Sequence, residues 1–405
     1  MDKRIVYMDY NATTPLRDEV KAAMVEDLEV YANASSMHEA GRRARDRVEK
    51  ARAKVAALVG AKDPASIIFT SGGSESNNTV FNTMYDLGRD GEGKASARRK
   101  IITTAIEHPC VMNSARRLAD EGFPVVFLGV DGQGRIDMAE LERELDPNSS
   151  AGGATLLVSV MAANNEIGTI QDIAAISKMA KAAGALVHSD AVQAAGKIAI
   201  DVEAWGVDYL TLSCHKIYGP KGIGALYMRK GVRTEPLIRG GHQELGIRAG
   251  TYNNQGILGF GLAAELALRD LKDFADRMRR LRERLRDGIA ATVPDIRVNG
   301  HPTEVLPNTL NVSFPGAEGE AILLSLDLEG IEVSTGSACA SGSLEPSHVL
   351  MATGVGPGLA HGSIRFSMGR GTSEEDVDYV IGKLTPIIRR LRRMSTVPSS
   401  EAARA

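Results

Sequence analysis

Apolar positions along this chain recur in two rhythms. Ala40, Ala44, Val48, Ala51, Val55 and Leu58 follow one another at three- and four-residue steps, which predicts one face of a long helix stopped by Gly60. Downstream, apolar residues come in short continuous runs: Ile67 to Phe69, Ile101-Ile102, Val125 to Phe127, Leu156 to Val158, Ala185 to Val187, Leu210 to Leu212 and Ile223 to Tyr227. Helix-like segments such as Ile173 to Ala183 separate most of them. That alternation predicts an α/β fold with a mainly parallel sheet buried on both faces. A helical stretch from Ile257 to Ala290 reads as a bridge to a smaller α+β domain. There, strands are expected at Thr309 to Phe314 and Ser363 to Ser367, and helices near Glu318 to Leu326 and Glu374 to Leu391. Polar, glycine-containing stretches at Asp90 to Ala97 and Asp146 to Gly153 read as surface loops, and the small polar tail Ser395 to Ala405 as disordered.

At 405 residues the chain is long enough for two domains and a large core. A formal charge of −3 gives no electrostatic reason to expect nucleic acid. Basic clusters at Arg277 to Arg286 and Arg389 to Arg393 fall on helix-like stretches, as solvated faces or as a docking surface for an acidic partner. No apolar run reaches the ~18 residues of a membrane span, and no signal-peptide core follows Met1. The three cysteines, Cys110, Cys214 and Cys339, are far apart and lack CxxC spacing, which argues against a disulfide framework or structural zinc and points to a reducing cytoplasm. None of the eight histidines sits at metal-ligand spacing, so no metal is expected.

Ligands of open parallel sheets gather at the carboxyl ends of the strands, and polar residues there define the candidate chemistry. Lys216 follows the Val207 to Leu212 run and precedes Tyr218-Gly219-Pro220-Lys221-Gly222, a place where an amine is fixed and partly desolvated, as an imine anchor requires. Ser71-Gly72-Gly73-Ser74 leads from a strand into a helix; it suits a phosphate, or is an ordinary turn with Ser74 as N-cap. Asp190 ends another run and is placed to hold a heteroaromatic nitrogen protonated, or to cap a helix, with Gln193 three residues on. Asn164-Asn165 is explained by turn chemistry or by a ligand, and His108 is either a loop histidine or a ring laid against a flat cofactor. Lysine, carboxylate and phosphate turn together specify pyridoxal 5′-phosphate better than a nucleotide or a metal.

A second group lies in the small domain. Cys339 is surrounded by tiny residues and bracketed by Gly336 and Gly342, unlike a core cysteine; it is either an inert loop residue or a displayed thiol that carries a group. Cys110 and Cys214 lie beside apolar segments and read as structural, with Cys214 near the cofactor. Arg365, on an otherwise small or apolar strand, needs an anion: a substrate carboxylate or a structural salt bridge.

These motifs resemble the cysteine desulfurases, the NifS/IscS-like branch of the fold-type I pyridoxal phosphate enzymes in the class V aminotransferase family. The resemblance runs from Tyr7-Met8-Asp9-Tyr10-Asn11-Ala12-Thr13-Thr14 past Arg365. It includes Phe69-Thr70-Ser71-Gly72, Glu107-His108-Pro109, Asn164-Asn165-Glu166-Ile167-Gly168, Asp190-Ala191-Val192-Gln193, His215-Lys216-Ile217-Tyr218-Gly219-Pro220 and Glu345-Pro346-Ser347-His348. It implies a large cofactor-binding α/β domain over residues 16–260 and a small α+β domain over 261–394, joined by 1–15, that carries the cysteine loop. By the same resemblance, Lys216 anchors pyridoxal phosphate and is the base at Cα. Asp190 pairs with the ring nitrogen, Asn165 and Gln193 lie near the ring oxygen, and His108 stacks and shares in catalysis. Gly73, Ser74, Ser213 and His215 hold the phosphate, while Thr251 reaches the phosphate of a neighbouring subunit in a homodimer with shared sites. Arg365, Asn165 and Asn33 bind L-cysteine. Cys339 takes its sulfur as a persulfide, on a loop like that of the mobile-loop branch, and passes it to an iron–sulfur scaffold or other acceptor protein. Iron–sulfur ligation by Cys339 during transfer is the one metal contact implied.

Departures from the family pattern are Cys214 in place of a glycine, Tyr252-Asn253-Asn254-Gln255 after Thr251, and a tail unlike the partner-docking tail of the housekeeping enzymes. Alternative readings are a selenocysteine lyase, another pyridoxal phosphate enzyme, or a non-catalytic sulfur-relay subunit.

Overall fold

The computed structural model describes residues 4–89, 96–335 and 345–394. Cys339 and the 395–405 tail therefore lie outside the described residues, as does most of the 90–97 loop. Strand β1 (Val6–Tyr7) stands at the start of the chain. The apolar runs become β2 (Ile67–Thr70), β3 (Arg98–Thr104), β4 (Val125–Leu128), β5 (Ala154–Ser159), β6 (Leu186–Asp190), β7 (Tyr209–Ser213) and β8 (Gly224–Met228). They form one seven-stranded sheet in the order β2-β8-β7-β6-β5-β3-β4. Only β8 runs against its neighbours, pairing antiparallel with β2 and β7; the other pairings are parallel. Both faces of β2 and β7 are buried, which is why these segments read as continuous apolar runs.

Helices cover the two faces. Helix Glu39–Leu58 buries Ala44, Val48, Ala51 and Val55, the stripe expected from the spacing. It crosses the long helix Asn254–Thr292 closely: a Cβ on Gly261 would stand 2.6 Å from the Ala51 Cα, so glycine is required there. The 39 residues of Asn254–Thr292 make a rod of about 58 Å. Its first half contributes Ile257, Phe260 and Ala264 to the core beneath the large sheet. Its second half contributes Met278, Leu281, Leu285 and Ile289 to a separate core.

That second core lies under a four-stranded sheet. Strands β9 (Arg297–Asn299), β10 (Thr309–Ser313), β12 (Ser334–Thr335) and β13 (Ser363–Ser367) take the order β12-β13-β10-β9. Helices Gly319–Leu328 and Glu374–Met394 supply Ile322, Leu326, Val377, Val380 and Leu384 to the same core. The amino-terminal segment is laced into this unit. Strand β1 pairs in parallel with β11 (Ile331–Glu332), and Asp9 bridges to Ser367. Among the described residues, no helix is long and apolar enough to cross a membrane.

Candidate active site

The carboxyl ends of β2, β3, β5, β6 and β7 open on one cleft of about 580 Å³. Asp190, the last residue of β6, is 5 % exposed there. One carboxylate oxygen accepts the Val192 backbone N–H at 2.9 Å; the other accepts Asn77 Nδ2 at 2.7 Å. Asn77 sits one turn beyond Ser74 on helix Gly73–Leu87, so the turn and the carboxylate are tied through one helix face. Its Oδ1 is buried without a partner among the described residues.

Ser71, Gly72, Gly73 and Ser74 line the same cleft, opposite Ser213 and His215. A Cβ on Gly73 would approach Val192 Cγ2 to 2.8 Å, so a larger residue would push into the turn. First-turn N–H groups have no carbonyl partner within their helix. With two serine hydroxyls, they offer an anion the donors and dipole it needs. His215 is pushed down to about 4, first by burial and then by Lys216, Lys221 and Lys197, so at neutral pH it is an uncharged ring. Lys221 also lines the cleft. This donor set fits a phosphate, and the Asp190 carboxylate fits a protonated ring nitrogen.

Lys216 follows β7 in a single 3-10 turn, Cys214–Lys216. Its Nζ donates to the backbone carbonyls of Asn11 and Ala12, each at 2.6 Å. Thr14 fastens this turn from the amino-terminal side: its N–H and hydroxyl both reach the His215 carbonyl, and its Oγ1 accepts the Tyr218 N–H at 2.8 Å. Gln193 Nε2 donates to the Asn11 carbonyl as well, at 2.9 Å. His108 caps helix Pro109–Asp120 and lines the cleft, and burial lowers its pKa.

The far wall comes from the small unit. Arg365, 2 % exposed in β13, places Nη2 2.6 Å from Asp9 Oδ1 and Nη1 3.1 Å from the Asn165 carbonyl. Its Nε is buried without a partner among the described residues. In register, Arg365 faces Ser334 of β12, just before the 336–344 segment that contains Cys339. The chain re-enters at Glu345, and Ser347 donates its hydroxyl proton to the Glu166 carboxylate. Both ends of the cysteine segment thus flank the cleft.

Gly73, Ser74, His108, Asn165, Asp190, Gln193, Ser213, His215, Lys216 and Arg365 all line this one cavity. Asn33 does not: it is exposed, with its Oδ1 accepting the Ser35 N–H. Thr251 is also exposed and outside the cleft, next to Gly250 in an adjoining pocket that shares Ser71 and Gly222. Cys214 packs in the core as a structural residue, between the cleft residues Ser213 and His215, with its buried thiol under Gly219, where a Cβ would meet the sulfur at 2.0 Å. Cys110 was read as structural, yet it lines the cleft, 2.9 Å from His108 Nδ1 and 3.1 Å from Asn77 Nδ2. Burial pushes its thiol up to about 12, so it is protonated. Asn11, Asn77 and Lys221 went unassigned in the sequence; the three-residue step from Ser74 to Asn77 was the available signal for one of them.

The family model for class-V aminotransferases matches residues 6–380. Cysteine desulfurase 2 of Trichormus variabilis is 48 % identical over 399 residues, covering 98 % of this chain and 96 % of the relative. Cysteine desulfurase NifS of Azotobacter vinelandii is 44 % identical over 392 residues, 96 % and 94 % of the two chains. A solved NifS-like protein superposes with a TM-score of 0.87 at 40 % identity, covering 96 % of this chain and 100 % of that one. With a strand-end cleft of this architecture and relatives matched along nearly their whole length, the chain belongs to the class-V aminotransferase family, among the NifS/IscS-like cysteine desulfurases.

Proposed function

We propose that this protein is a pyridoxal phosphate-dependent L-cysteine desulfurase that places the sulfur of cysteine on Cys339. The observation that carries the reading is the convergence of Lys216, Asp190 and Arg365 on one cleft, with Ser334 paired to Arg365 just before the Cys339 segment and Ser347 bonded to Glu166 just after it. Pyridoxal phosphate, when bound, supplies an electron sink for the bonds at the amino-acid Cα. Ser74, Ser213, His215 and the first-turn N–H groups after Gly73 would hold its phosphate, Lys216 its aldehyde carbon, Asp190 its ring nitrogen, Gln193 and Asn165 its ring oxygen, and His108 its face.

Arg365 receives the substrate carboxylate through its planar fork, beside the Asn165 carbonyl that steadies it. The Lys216 amine, held at the cleft by the Asn11 and Ala12 carbonyls, would take the Cα proton. The Cys339 thiolate attacks the substrate sulfur. A sulfur–sulfur bond forms as the Cβ–S bond breaks, and Cβ keeps the bonding pair and takes a proton. Alanine leaves, and the persulfide passes to an acceptor, by this reading an iron–sulfur scaffold protein in the cytoplasm. Thr251, exposed beyond Gly250, is assigned to a second subunit's phosphate, which makes the working unit a homodimer. The two hydrophobic cores support a division into two units, with the change of core falling inside helix Asn254–Thr292, after Leu266 and before Met278, and with Val6 and Met8 in the second core.

Cys339→Ala tests the reading. The variant is expected to retain the yellow cofactor and a spectral response to cysteine while losing sulfur release. Undiminished sulfur transfer by that variant refutes the assignment.

A further inference from the structure

Lys197 is 3 % exposed, and its two hydrogen-bond acceptors are neutral amides. Its Nζ donates to Gln193 Oε1 at 2.6 Å and to Asn11 Oδ1 at 3.0 Å. Burying an amine without an opposing charge is costly, and a methionine would fill the same space without that cost. Burial, with Lys216 and Arg365 as the charged groups acting on it, holds its pKa well below the lysine range.

Charged or neutral, the Lys197 Nζ carries at least two N–H donors, and both of its partners here are amide oxygens. It therefore forces Gln193 to turn Oε1 toward it, which leaves Nε2 to donate to the Asn11 carbonyl at 2.9 Å. Together with Asn308 Nδ2, it also turns Asn11 Oδ1 inward, so that Asn11 Nδ2 reaches Thr309 Oγ1 at 2.8 Å and the Asn165 carbonyl at 3.1 Å. The Asn11 carbonyl fixed in this way is one of the two that hold Lys216 Nζ. Without the donor, the Gln193 amide is free to rotate by half a turn and withdraw its Nε2 from the Asn11 carbonyl, while Asn308, Thr309 and the Asn165 carbonyl alone hold the Asn11 amide.

We propose that Lys197 is a positioning residue for Lys216: by orienting the amides of Gln193 and Asn11, it fixes the backbone carbonyl that aims the Lys216 amine into the cleft. The inference rests on the reading of Lys216 as the cofactor anchor. Its test uses the full-length holoenzyme with Lys197→Met and with Lys197→Gln, a shorter polar side chain that carries the test should the first variant not fold. Three readouts apply: the pH midpoint of the cofactor's visible band, the separate values of kcat and KM, and borohydride trapping of the cofactor with its position found by mass spectrometry.

For Lys197→Met, loss of the contact that braces the Asn11 carbonyl is expected to shift the band's pH midpoint by about one unit. A misaimed amine is expected to lower kcat about tenfold, with a smaller change in KM. Lys197→Gln should fall between this variant and the unsubstituted enzyme. An unchanged midpoint and unchanged kcat per bound cofactor, with only the melting temperature lowered, would overturn the proposal. Failure to trap the cofactor on Lys216 in the unsubstituted protein would overturn the anchor reading instead.

Discussion

Arg365 Nη2 stands 2.6 Å from Asp9 Oδ1, so the guanidinium that faces the cleft is held by a carboxylate from the opposite end of the sequence. The pair orients the fork, leaving Nε buried and unpartnered among the described residues. Arg365→Lys keeps the charge but loses the fork. Loss of a charge-assisted hydrogen bond is worth about 1.5–3 kcal/mol, so KM for cysteine should rise roughly 10- to 100-fold with a smaller change in kcat. Steady-state kinetics would check this, and an unchanged KM would remove Arg365 from substrate binding.

Asn77 gives one Asp190 oxygen its side-chain donor. Replacing it by leucine in Asn77→Leu leaves that carboxylate oxygen unsatisfied in a buried site. The cofactor's dissociation constant should rise about tenfold or more, the scale of one hydrogen bond to a charged group. Fluorescence titration of the apoprotein with pyridoxal phosphate measures it.

Glu107 is fully buried, and burial raises its carboxyl pKa from 4.5 to about 8. One oxygen accepts from the Thr104 hydroxyl and the Met161 N–H, and the other is buried without a partner among the described residues. Below the unfolded pKa both states hold the proton. As pH rises from 4.5 to about 8 the unfolded chain ionises first, so this residue's contribution to stability is lost across that window. The loss is on the order of 3–5 kcal/mol. Glu107→Gln should therefore gain stability relative to the unsubstituted protein between about pH 5 and 9. Parallel melting curves for the two proteins across that range would contradict it.

Arg52 and Glu244 form a two-point ion pair, 2.7 and 2.8 Å, with both side chains buried, and the same carboxylate accepts the Phe69 N–H of β2. Arg52→Met leaves that carboxylate buried and alone, at a cost of about 3–5 kcal/mol in urea unfolding. Adding Glu244→Gln should restore part of the loss, because the stranded charge is then gone.

Much of this structure was legible in the residues. The run Ser363 to Ser367 is β13, and the three- and four-residue spacing from Ala40 to Leu58 is the buried face of one helix. Such signals are local and periodic. The cysteines show where locality ends. Cys214 lies one residue past a strand, in a 3-10 turn where alternation no longer gives side-chain direction, and its thiol packs under Gly219 in the core. Cys110 is the second residue of a helix whose first turn borders the cleft, so its apolar neighbours said nothing about its exposure there. Asn11 and Lys197 take their roles from partners nearly two hundred positions apart, which no spacing rule reaches.

The lacing of Val6–Tyr7 to Ile331–Glu332, and of Asp9 to Arg365 and Ser367, also bears on biosynthesis. Val6–Tyr7 is synthesised long before the residues it pairs with. Until those late residues emerge, Asn11 lacks the Ser367, Thr309 and Asn308 contacts that complete its hold, and with them part of the place that receives the Lys216 amine. A nascent chain that has already folded its large sheet still lacks a finished cleft until Arg365 and its strand are made.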